Sequence, residues 1–284
     1  MHLTRRNLIV TGGAAMMSTP GLLQAQEPFR LGLTPVFLDN DAGVIERLRG
    51  ALASALGGSI ELEQRRTYEE VTGLLLEGSV DAAWLCGYPY LQHRQTLSLL
   101  AVPVWNGQPL YQSYLIASTD DEASRLDDLR GGTHAFSDPD SNSGYLVTAS
   151  DLARAGQRPE EFFGRTIFTY GHRNVVRAVA DGLVRSGSVD GYVWEVLTTQ
   201  EPELTQRTRV ISKSEWIGFP PFCARSDKMG DLRVRQMQTA LLDLNKSQVG
   251  KAALRLLQLD GMTDADPSIF DGIALRMRDL AAQR

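Results

Sequence analysis

The sequence predicts an α/β protein with two lobes and a cleft between them. Two stretches of the chain, 29–85 and 133–193, each alternate apolar runs with amphipathic helical patterns in the order β-α-β-α-β. No Pro- or Ser-rich linker separates the two stretches, so we expect the chain to cross between the lobes on strands near 113–118 and 218–224. A double crossing of this kind leaves a cleft in which a ligand can bind.

In the first stretch, short apolar runs predict strands and a 3.6-residue apolar period predicts helices. The clearest signal is Thr67 with Glu70, a capping box that opens a helix which Gly78 closes. The predicted order is strand 29–33, helix 42–56, a strand beginning at 60–62, a helix reaching Leu75, and strand 80–85.

The second stretch follows two further apolar strands, at 99–104 and 111–117. Its predicted elements are strand 133–136, helix 144–155, strand 166–170, helix 173–183 and strand 189–193, followed by a return strand at 218–224 and helices at 231–244 and 250–257. We therefore assign residues 26–115 together with 222–284 to lobe I, and residues 116–221 to lobe II.

The composition excludes several classes of function. The chain has 284 residues, 43% of them hydrophobic, which is globular composition, and its net charge of -5 provides no basic field for nucleic acid. The sequence contains no Gly-x-Ser-x-Gly elbow, His-Glu-x-x-His, Cys-x-x-Cys, Walker loop or Gly-x-Gly-x-x-Gly after a strand. We therefore predict a protein that is not an enzyme and needs no metal or cofactor.

The first 25 residues are typical of an export signal that is cleaved near Ala25. Arg5 and Arg6 precede a short apolar stretch, and this pair fits the twin-arginine (Tat) pattern, although a general secretory signal with two arginines remains the alternative. No cysteine follows the cleavage point closely enough to carry a lipid. We expect a periplasmic monomer that meets the membrane only through a partner.

The most informative segment is 138–145, which lies between a strand and an amphipathic helix. A strand, a hydroxyl-rich turn and a helix start place N–H groups, two hydroxyls and one amide where the helix dipole favours negative charge. Such a turn can hold an oxyanion. The alternative is an ordinary Ser or Asp N-cap with no ligand.

This segment resembles the Asp-Pro-x-Ser-x-Ser-Gly signature of periplasmic phosphate, phosphite and phosphonate-binding proteins, the solute receptors of ABC transporters. Three further motifs agree with that family in order and spacing, so the resemblance covers nearly the whole mature chain. They are Thr-Tyr-Glu-Glu at 67–70, Val-Asp-Ala-Ala-Trp at 80–84, and Gly-His-Arg-Asn at 171–174 followed by Val-Asp-Gly-Tyr at 189–192.

The resemblance implies a two-lobe periplasmic binding protein fold of type II, closing on a small oxyanion that is held mainly by neutral donors. The ligand-binding residues that it implies are Ser141, Asn142, Ser143, His172, Tyr68, Tyr111, Cys86 and Tyr192. Asn142 departs from the family, which more often has threonine there. The segment 217–221 lacks an acid that receptors for amino-phosphonates can place there, which puts an aminoalkyl ligand in doubt.

The two cysteines leave several alternatives open. Cys86 and Cys223 lie near predicted strand ends that face the cleft, so a disulfide is geometrically possible in an oxidising compartment. A free Cys86 in the cleft suits a thiophilic ligand such as trivalent arsenic. The expected function is therefore capture of a phosphorus oxyanion for an ABC permease. The alternatives are a receptor that presents arsenite or a related oxyanion to a sensor kinase, and a secreted thiol enzyme.

Overall fold

The computed structural model describes residues 27–36 and 42–283, and it confirms the α/β class. The predicted export signal, 1–25, lies outside the described residues. In the described ranges, no helix combines the length and the apolar character that crossing a bilayer requires.

The first part of the chain confirms the predicted β-α-β-α-β order. Its elements are β1 (Phe29–Leu33), α1 (Ala42–Leu56), β2 (Ile60–Gln64), α2 (Tyr68–Glu77), β3 (Ala82–Trp84), α3 (Gly87–Gln92) and β4 (Leu97–Val104). The Thr67–Glu70 capping box opens α2 as predicted, and Gly78 closes it with φ 78°. The capping box fixes where α2 starts and so places Tyr68 at its first position.

The second part begins with the first crossing between the lobes. Its elements are β5 (Leu110–Tyr111), β6 (Ser113–Ser118), β7 (Thr133–Phe136), α4 (Val147–Arg154), α5 (Pro159–Phe162), β8 (Arg165–Phe168), α6 (His172–Ala180), β9 (Ser186–Asp190), α7 (Gly191–Gln200), α8 (Pro202–Thr205) and β10 (Thr208–Lys213). The prediction of a strand over 189–193 was wrong after Asp190. The Asp190 side chain accepts hydrogen bonds from the N–H groups of Tyr192 and Val193, and it thereby begins α7.

The last part returns to the first sheet. Its elements are β11 (Ile217–Gly218), β12 (Phe222–Arg225), α9 (Leu232–Leu242), α10 (Gln248–Leu256), β13 (Gly261–Thr263) and α11 (Asp271–Ala281). The predicted return strand 218–224 is split in two, because Pro220 and Pro221 have no N–H groups to donate to a continuous ladder.

Two sheets form the cores of the two lobes. The sheet of lobe I has the order β13-β4-β12-β3-β1-β2, and that of lobe II has the order β10-β6-β9-β7-β8. A third, two-stranded sheet pairs β5 with β11 in antiparallel fashion, so the two crossing segments run side by side. β1 is parallel to β2 and β3, and β7 is parallel to β8 and β9. The carboxyl ends of these parallel strands are the edges where ligands bind in open α/β sheets.

The two cysteines are both buried and both free, so no disulfide joins them. Cys86 precedes α3, and Cys223 lies on β12, where it pairs in register with Ala83 of β3.

Candidate ligand-binding site

The segment between β7 and α4, residues 137–146, forms a tight turn that we call the cradle turn. The Ser141 Oγ accepts a hydrogen bond of 2.9 Å from the Gly144 N–H, and Asn142–Leu146 then wind as one π-helical turn before α4. The helical turn therefore starts two residues before the predicted position and is wider than an α-helix. The polar residues of the signature that follow, Ser141, Asn142 and Ser143, are all buried.

Three polar atoms of the cradle turn are buried without a hydrogen-bond partner in the described structure. They are Ser137 Oγ, Asn142 Oδ1 and Ser143 Oγ, and each residue is at most 1% exposed. A buried polar group left unpaired costs about 1–3 kcal/mol, so proteins rarely retain several together without a purpose. Two hydroxyls and one amide oxygen at one turn are what a polar ligand would satisfy.

Gly144 allows the cradle turn to pack this closely. A Cβ at this position would overlap Ser137 Oγ, and it would lie 2.7 Å from Ser137 Cβ and 2.9 Å from His172 Cε1. The imidazole of His172 therefore rests directly on the backbone of the cradle turn.

Tyr68 and His172 join the two lobes through a hydrogen bond whose direction the structure determines. The Asp190 N–H donates to His172 Nδ1 at 3.0 Å, so Nδ1 carries no hydrogen. Burial lowers the pKa of His172 to about 3, so the ring is neutral and its one hydrogen is on Nε2. His172 Nε2 lies 3.2 Å from the Tyr68 hydroxyl and must donate to it. The Tyr68 hydroxyl hydrogen is then free to donate to a ligand.

Tyr111, next to the first crossing, also contacts the cradle turn. Asn142 Nδ2 donates to the Tyr111 hydroxyl oxygen at 2.8 Å, and the same hydroxyl interacts with the Cys86 thiol and the Ser143 hydroxyl. Burial raises the pKa of Tyr68 and of Tyr111 well above the usual value, so both phenols remain protonated donors. Two protonated phenols beside the cradle turn suit an anion.

Cys86 lies against the cradle turn. Its Sγ accepts the Asn142 N–H at 3.3 Å, and it also accepts from the Tyr88 N–H. Burial raises the pKa of the Cys86 thiol to about 11, so it is a thiol and not a thiolate at neutral pH. A thiol enzyme needs a cysteine with a lowered pKa or an adjacent base, whereas burial raises the pKa of Cys86.

Asp190 is the residue of this site that the sequence analysis missed as a ligand-binding candidate. It is 1% exposed, and burial raises its pKa to about 7. The available signal was its place in the Val-Asp-Gly-Tyr motif at the carboxyl end of a strand. That signal was read as a continuing apolar strand, which hid the helix start at Asp190.

The structure brings seven of the eight predicted residues together and directs the eighth elsewhere. Ser141, Asn142, Ser143, His172, Tyr68, Tyr111 and Cys86 are all buried around the cradle turn. Tyr192 is buried too, but its hydroxyl donates to the Leu257 carbonyl and its ring packs on Trp105 and Phe219. Ser141 acts as the cap of the turn, so its hydroxyl oxygen is already engaged. Ligand contact by any of the eight stays a prediction.

The charges around the cradle turn are acidic. Asp138 accepts the Tyr68 N–H at 3.2 Å, and Asp190 contacts His172 through its backbone N–H. In the part of the chain that the structure describes, the printed side-chain contacts of Asp138, Ser141 and Asn142 involve no lysine or arginine, and no cluster of His, Cys, Asp or Glu could hold a metal ion.

Comparison with known proteins agrees with this architecture. Residues 34–270 match the family model described as the periplasmic substrate-binding protein of phosphonate ABC transporters. Among solved structures, the chain is similar to the binding protein component of an ABC phosphonate transporter from Pseudomonas aeruginosa. The TM-score is 0.81 at 22% identity, covering 91% of this chain and 90% of that one.

Two further solved structures share the fold. One, from Prochlorococcus marinus, was solved in complex with methylphosphonate, and it matches with a TM-score of 0.76 at 17% identity, covering 89% of this chain and 98% of that one. The other is a histidine kinase sensor domain similar to periplasmic binding proteins, with a TM-score of 0.56 at 17% identity, covering 84% of this chain and 99% of that one. At these identities the structural likeness shows the fold alone.

Proposed function

Because the chain belongs to the family of periplasmic substrate-binding proteins of phosphonate ABC transporters, we propose that it captures a small phosphorus oxyanion in the cradle turn and delivers it to a membrane permease. Phosphonate, phosphite and phosphate present the same acceptor oxygens to these donors. The observation that carries the proposal is the pair of buried, unpaired hydroxyls of the cradle turn, Ser137 and Ser143, beside the Tyr68 phenol, whose hydrogen is free to donate.

The proposed ligand contacts come from both sides of the cleft. Tyr68 from α2 would donate from lobe I, and Tyr111 would donate from the first crossing. Ser143 and Ser137 would donate from lobe II. A ligand held by both lobes stabilises the closed arrangement over an open one, because only the closed arrangement makes all the contacts. We propose that the exported protein is a monomer and that the permease recognises its closed form.

We expect a phosphorus oxyanion to stabilise the protein and Ser143→Ala to reduce that effect. A ligand at 100 times its dissociation constant raises the free energy of unfolding by about 2.7 kcal/mol. A hydrogen bond to a charged acceptor contributes about 1.5–3 kcal/mol, so Ser143→Ala should weaken binding about tenfold or more. Thermal-shift measurements with methylphosphonate, phosphite, phosphate, sulfate and arsenite identify the ligand class, and calorimetry gives the affinity.

The matched control for this experiment is Ser212→Ala, an exposed serine on β10 whose hydroxyl takes part in no described hydrogen bond. It should bind like the wild-type protein. Equal affinity of Ser143→Ala and wild type for a phosphorus oxyanion would exclude Ser143 as a ligand donor.

A second candidate function rests on the position of Cys86. Its sulfur accepts the Asn142 N–H inside the predicted oxyanion site. A kinase sensor domain also has this fold. Arsenous acid could form one As–S bond here, with the thiol hydrogen and one arsenic hydroxyl leaving as water. The chain would then be a receptor that presents arsenite to a sensor kinase.

Cys86→Ser separates the two candidate functions. For a phosphorus oxyanion, the serine Oγ can still accept the Asn142 N–H, so affinity should change by less than about 1.5 kcal/mol. For arsenite, the bonding atom is lost and binding should disappear. We expect the first result. Arsenite titration by calorimetry decides the question: binding in wild type that vanishes in Cys86→Ser would replace our ligand assignment and leave the fold unaffected.

A further inference from the structure

A second contact, nearer to solvent, accompanies the Tyr68–His172 hydrogen bond between the lobes. Arg66 lies two residues before Tyr68 at the start of α2, and Tyr170 lies two residues before His172 at the start of α6. The Arg66 guanidinium carbon is 5.5 Å from the centre of the Tyr170 ring, which is within the range of a cation–π interaction. Tyr68 and His172 are each 1% exposed, whereas Arg66 is exposed and Tyr170 is half-buried. Two contacts therefore cross the cleft here, one buried and one at its edge.

The backbone of Arg66 is fixed by the start of α2. Its N–H donates to Glu70 Oε2 at 3.1 Å, and the same oxygen accepts the Thr67 N–H at 3.0 Å in the capping box. Among the residues that the structure describes, the Arg66 guanidinium takes part in no hydrogen bond or salt bridge. The acid on which its charge acts is Glu70, which the capping box already engages. The Tyr170 ring is therefore the group that the guanidinium contacts across the cleft.

The turn that carries Tyr170 is anchored on the sheet of lobe II. The Thr169 N–H donates to the Phe136 carbonyl at 2.9 Å, and Thr169 Oγ1 donates to the Gly171 carbonyl at 3.0 Å. Tyr170 itself has φ 52°, a left-handed backbone conformation that residues with a Cβ rarely adopt. Such conformations persist where the surrounding structure determines them, and they concentrate at ligand clamps and switch regions. An anchored turn thus places the Tyr170 ring against Arg66 and leads directly into His172.

The Arg66–Tyr170 contact depends on the arrangement of the lobes. Arg66 follows β2 of the first sheet and Tyr170 follows β8 of the second, so the two residues separate when the lobes separate. An interaction that exists only in the closed arrangement stabilises that arrangement over an open one. A ligand enclosed by both lobes leaves after the lobes part, so this contact opposes its release.

We infer that Arg66 and Tyr170 form a latch at the edge of the cleft, which holds the lobes closed over the oxyanion and slows its release. Neither residue is a ligand donor. Both are positioning residues, which act by keeping Tyr68 of one lobe beside His172 of the other. The inference rests on the proposed function and adds to it the contact that sets how long the ligand stays bound.

Tyr170→Leu is the informative variant, because it removes the aromatic face, changes no charge and keeps a Cβ at the same backbone position. A cation–π interaction at an exposed site corresponds to about a two- to fivefold change in an equilibrium constant. We therefore expect methylphosphonate to leave Tyr170→Leu about two- to fivefold faster than wild type, with little change in the association rate. Stopped-flow tryptophan fluorescence measures both rates.

Tyr170→Phe is the conservative variant. It keeps the ring and removes a hydroxyl that, among the described residues, takes part in no hydrogen bond. Its release rate should equal that of wild type, whereas a role of Tyr170 through its hydroxyl would make Tyr170→Phe as fast as Tyr170→Leu and overturn the latch.

Arg66→Gln removes the other half of the latch and should raise the release rate by a similar factor. The double variant Arg66→Gln/Tyr170→Leu should release methylphosphonate no faster than either single variant, because all three lose the same interaction. The matched control is Arg65→Gln, an exposed neighbouring arginine that donates to Glu63 and to the Gln64 carbonyl within its own lobe. It should release the ligand at the wild-type rate.

The outcomes separate the latch from the function on which it rests. Binding of methylphosphonate with wild-type release rates in Tyr170→Leu and Arg66→Gln overturns the latch and leaves the function. Effects that multiply in the double variant overturn the latch as well, since the two residues would then act independently. Failure of the wild-type protein to bind methylphosphonate overturns phosphonate capture and the latch together.

Discussion

Gly144→Ala is expected to abolish binding of the oxyanion. The added methyl group would overlap Ser137 Oγ and press on His172 Cε1 at 2.9 Å, so the cradle turn and the imidazole must separate. Separation moves His172 away from the Tyr68 hydroxyl that it orients, and it moves Ser143 with the turn. The loss includes several charge-assisted hydrogen bonds of about 1.5–3 kcal/mol each, so affinity should fall on the order of 100-fold or more.

The same substitution should also lower stability by about 1–3 kcal/mol, the usual cost of an added methyl group in a packed interior. Gly50→Ala is the matched control, because Gly50 lies in α1 and a Cβ there meets nothing within 4 Å. The control should keep full affinity in calorimetry and be as stable as wild type or slightly more stable. Wild-type affinity in Gly144→Ala would contradict the arrangement of cradle turn and imidazole described above.

Local signals in the sequence were sufficient to predict the first half of lobe I. The Thr67–Glu70 box and Gly78 define α2 without help from the rest of the fold, because each acts on backbone groups a few residues away. Where local signals conflicted, the prediction was wrong. After Asp190 the apolar residues suit a buried strand, but the carboxylate offers the next N–H groups a cap, and the helix is preferred.

The sequence could predict which residues lie together at the candidate site, but not the geometry of their contacts. The resemblance placed Tyr68, His172 and the cradle turn together, although they are far apart in the chain. Nothing local shows that the Asp190 N–H determines which nitrogen of His172 carries the hydrogen, since that contact depends on how β9 lies beside α6. The direction of the Tyr192 hydroxyl, toward the Leu257 carbonyl, depends likewise on packing between distant segments.

The C-terminal helix α11, which the sequence analysis did not predict, contacts elements of both lobes. Phe270, just before α11, and Ile273 on the helix pack against Gly87, where α3 of lobe I begins. On its other side α11 contacts α4 of lobe II. There Arg276, only 3% exposed, donates to both carboxylate oxygens of Glu215, at 2.8 and 2.6 Å.

Arg276 also bonds three groups of α4, so a single side chain unites three segments. It donates to the Val147 carbonyl at 3.1 Å, the Ser150 hydroxyl at 2.8 Å and the Asp151 carboxylate at 2.7 Å. Removing one partner of a buried ion pair costs about 3–5 kcal/mol when the other partner is left buried. Here the two carboxylates are nearly half exposed and regain water, so the cost is smaller.

We therefore expect Arg276→Met to lower the free energy of unfolding by about 2–3 kcal/mol, since the methionine keeps the apolar stem but removes the donor to Ser150 Oγ and to the two carboxylates. We also expect the loss of this link between α11 and α4 to raise the population of an open arrangement, and ligand affinity to fall by the same factor as the closed fraction. Urea unfolding measures the first effect, and small-angle scattering with and without methylphosphonate measures the second. Arg278→Met, an exposed arginine on the same helix, is the matched control and should match wild type in both measurements. Equal stability of the two variants would show that the Arg276 cluster does not hold α11 to lobe II. The same change on the same helix would then cost the same for a buried and for an exposed guanidinium.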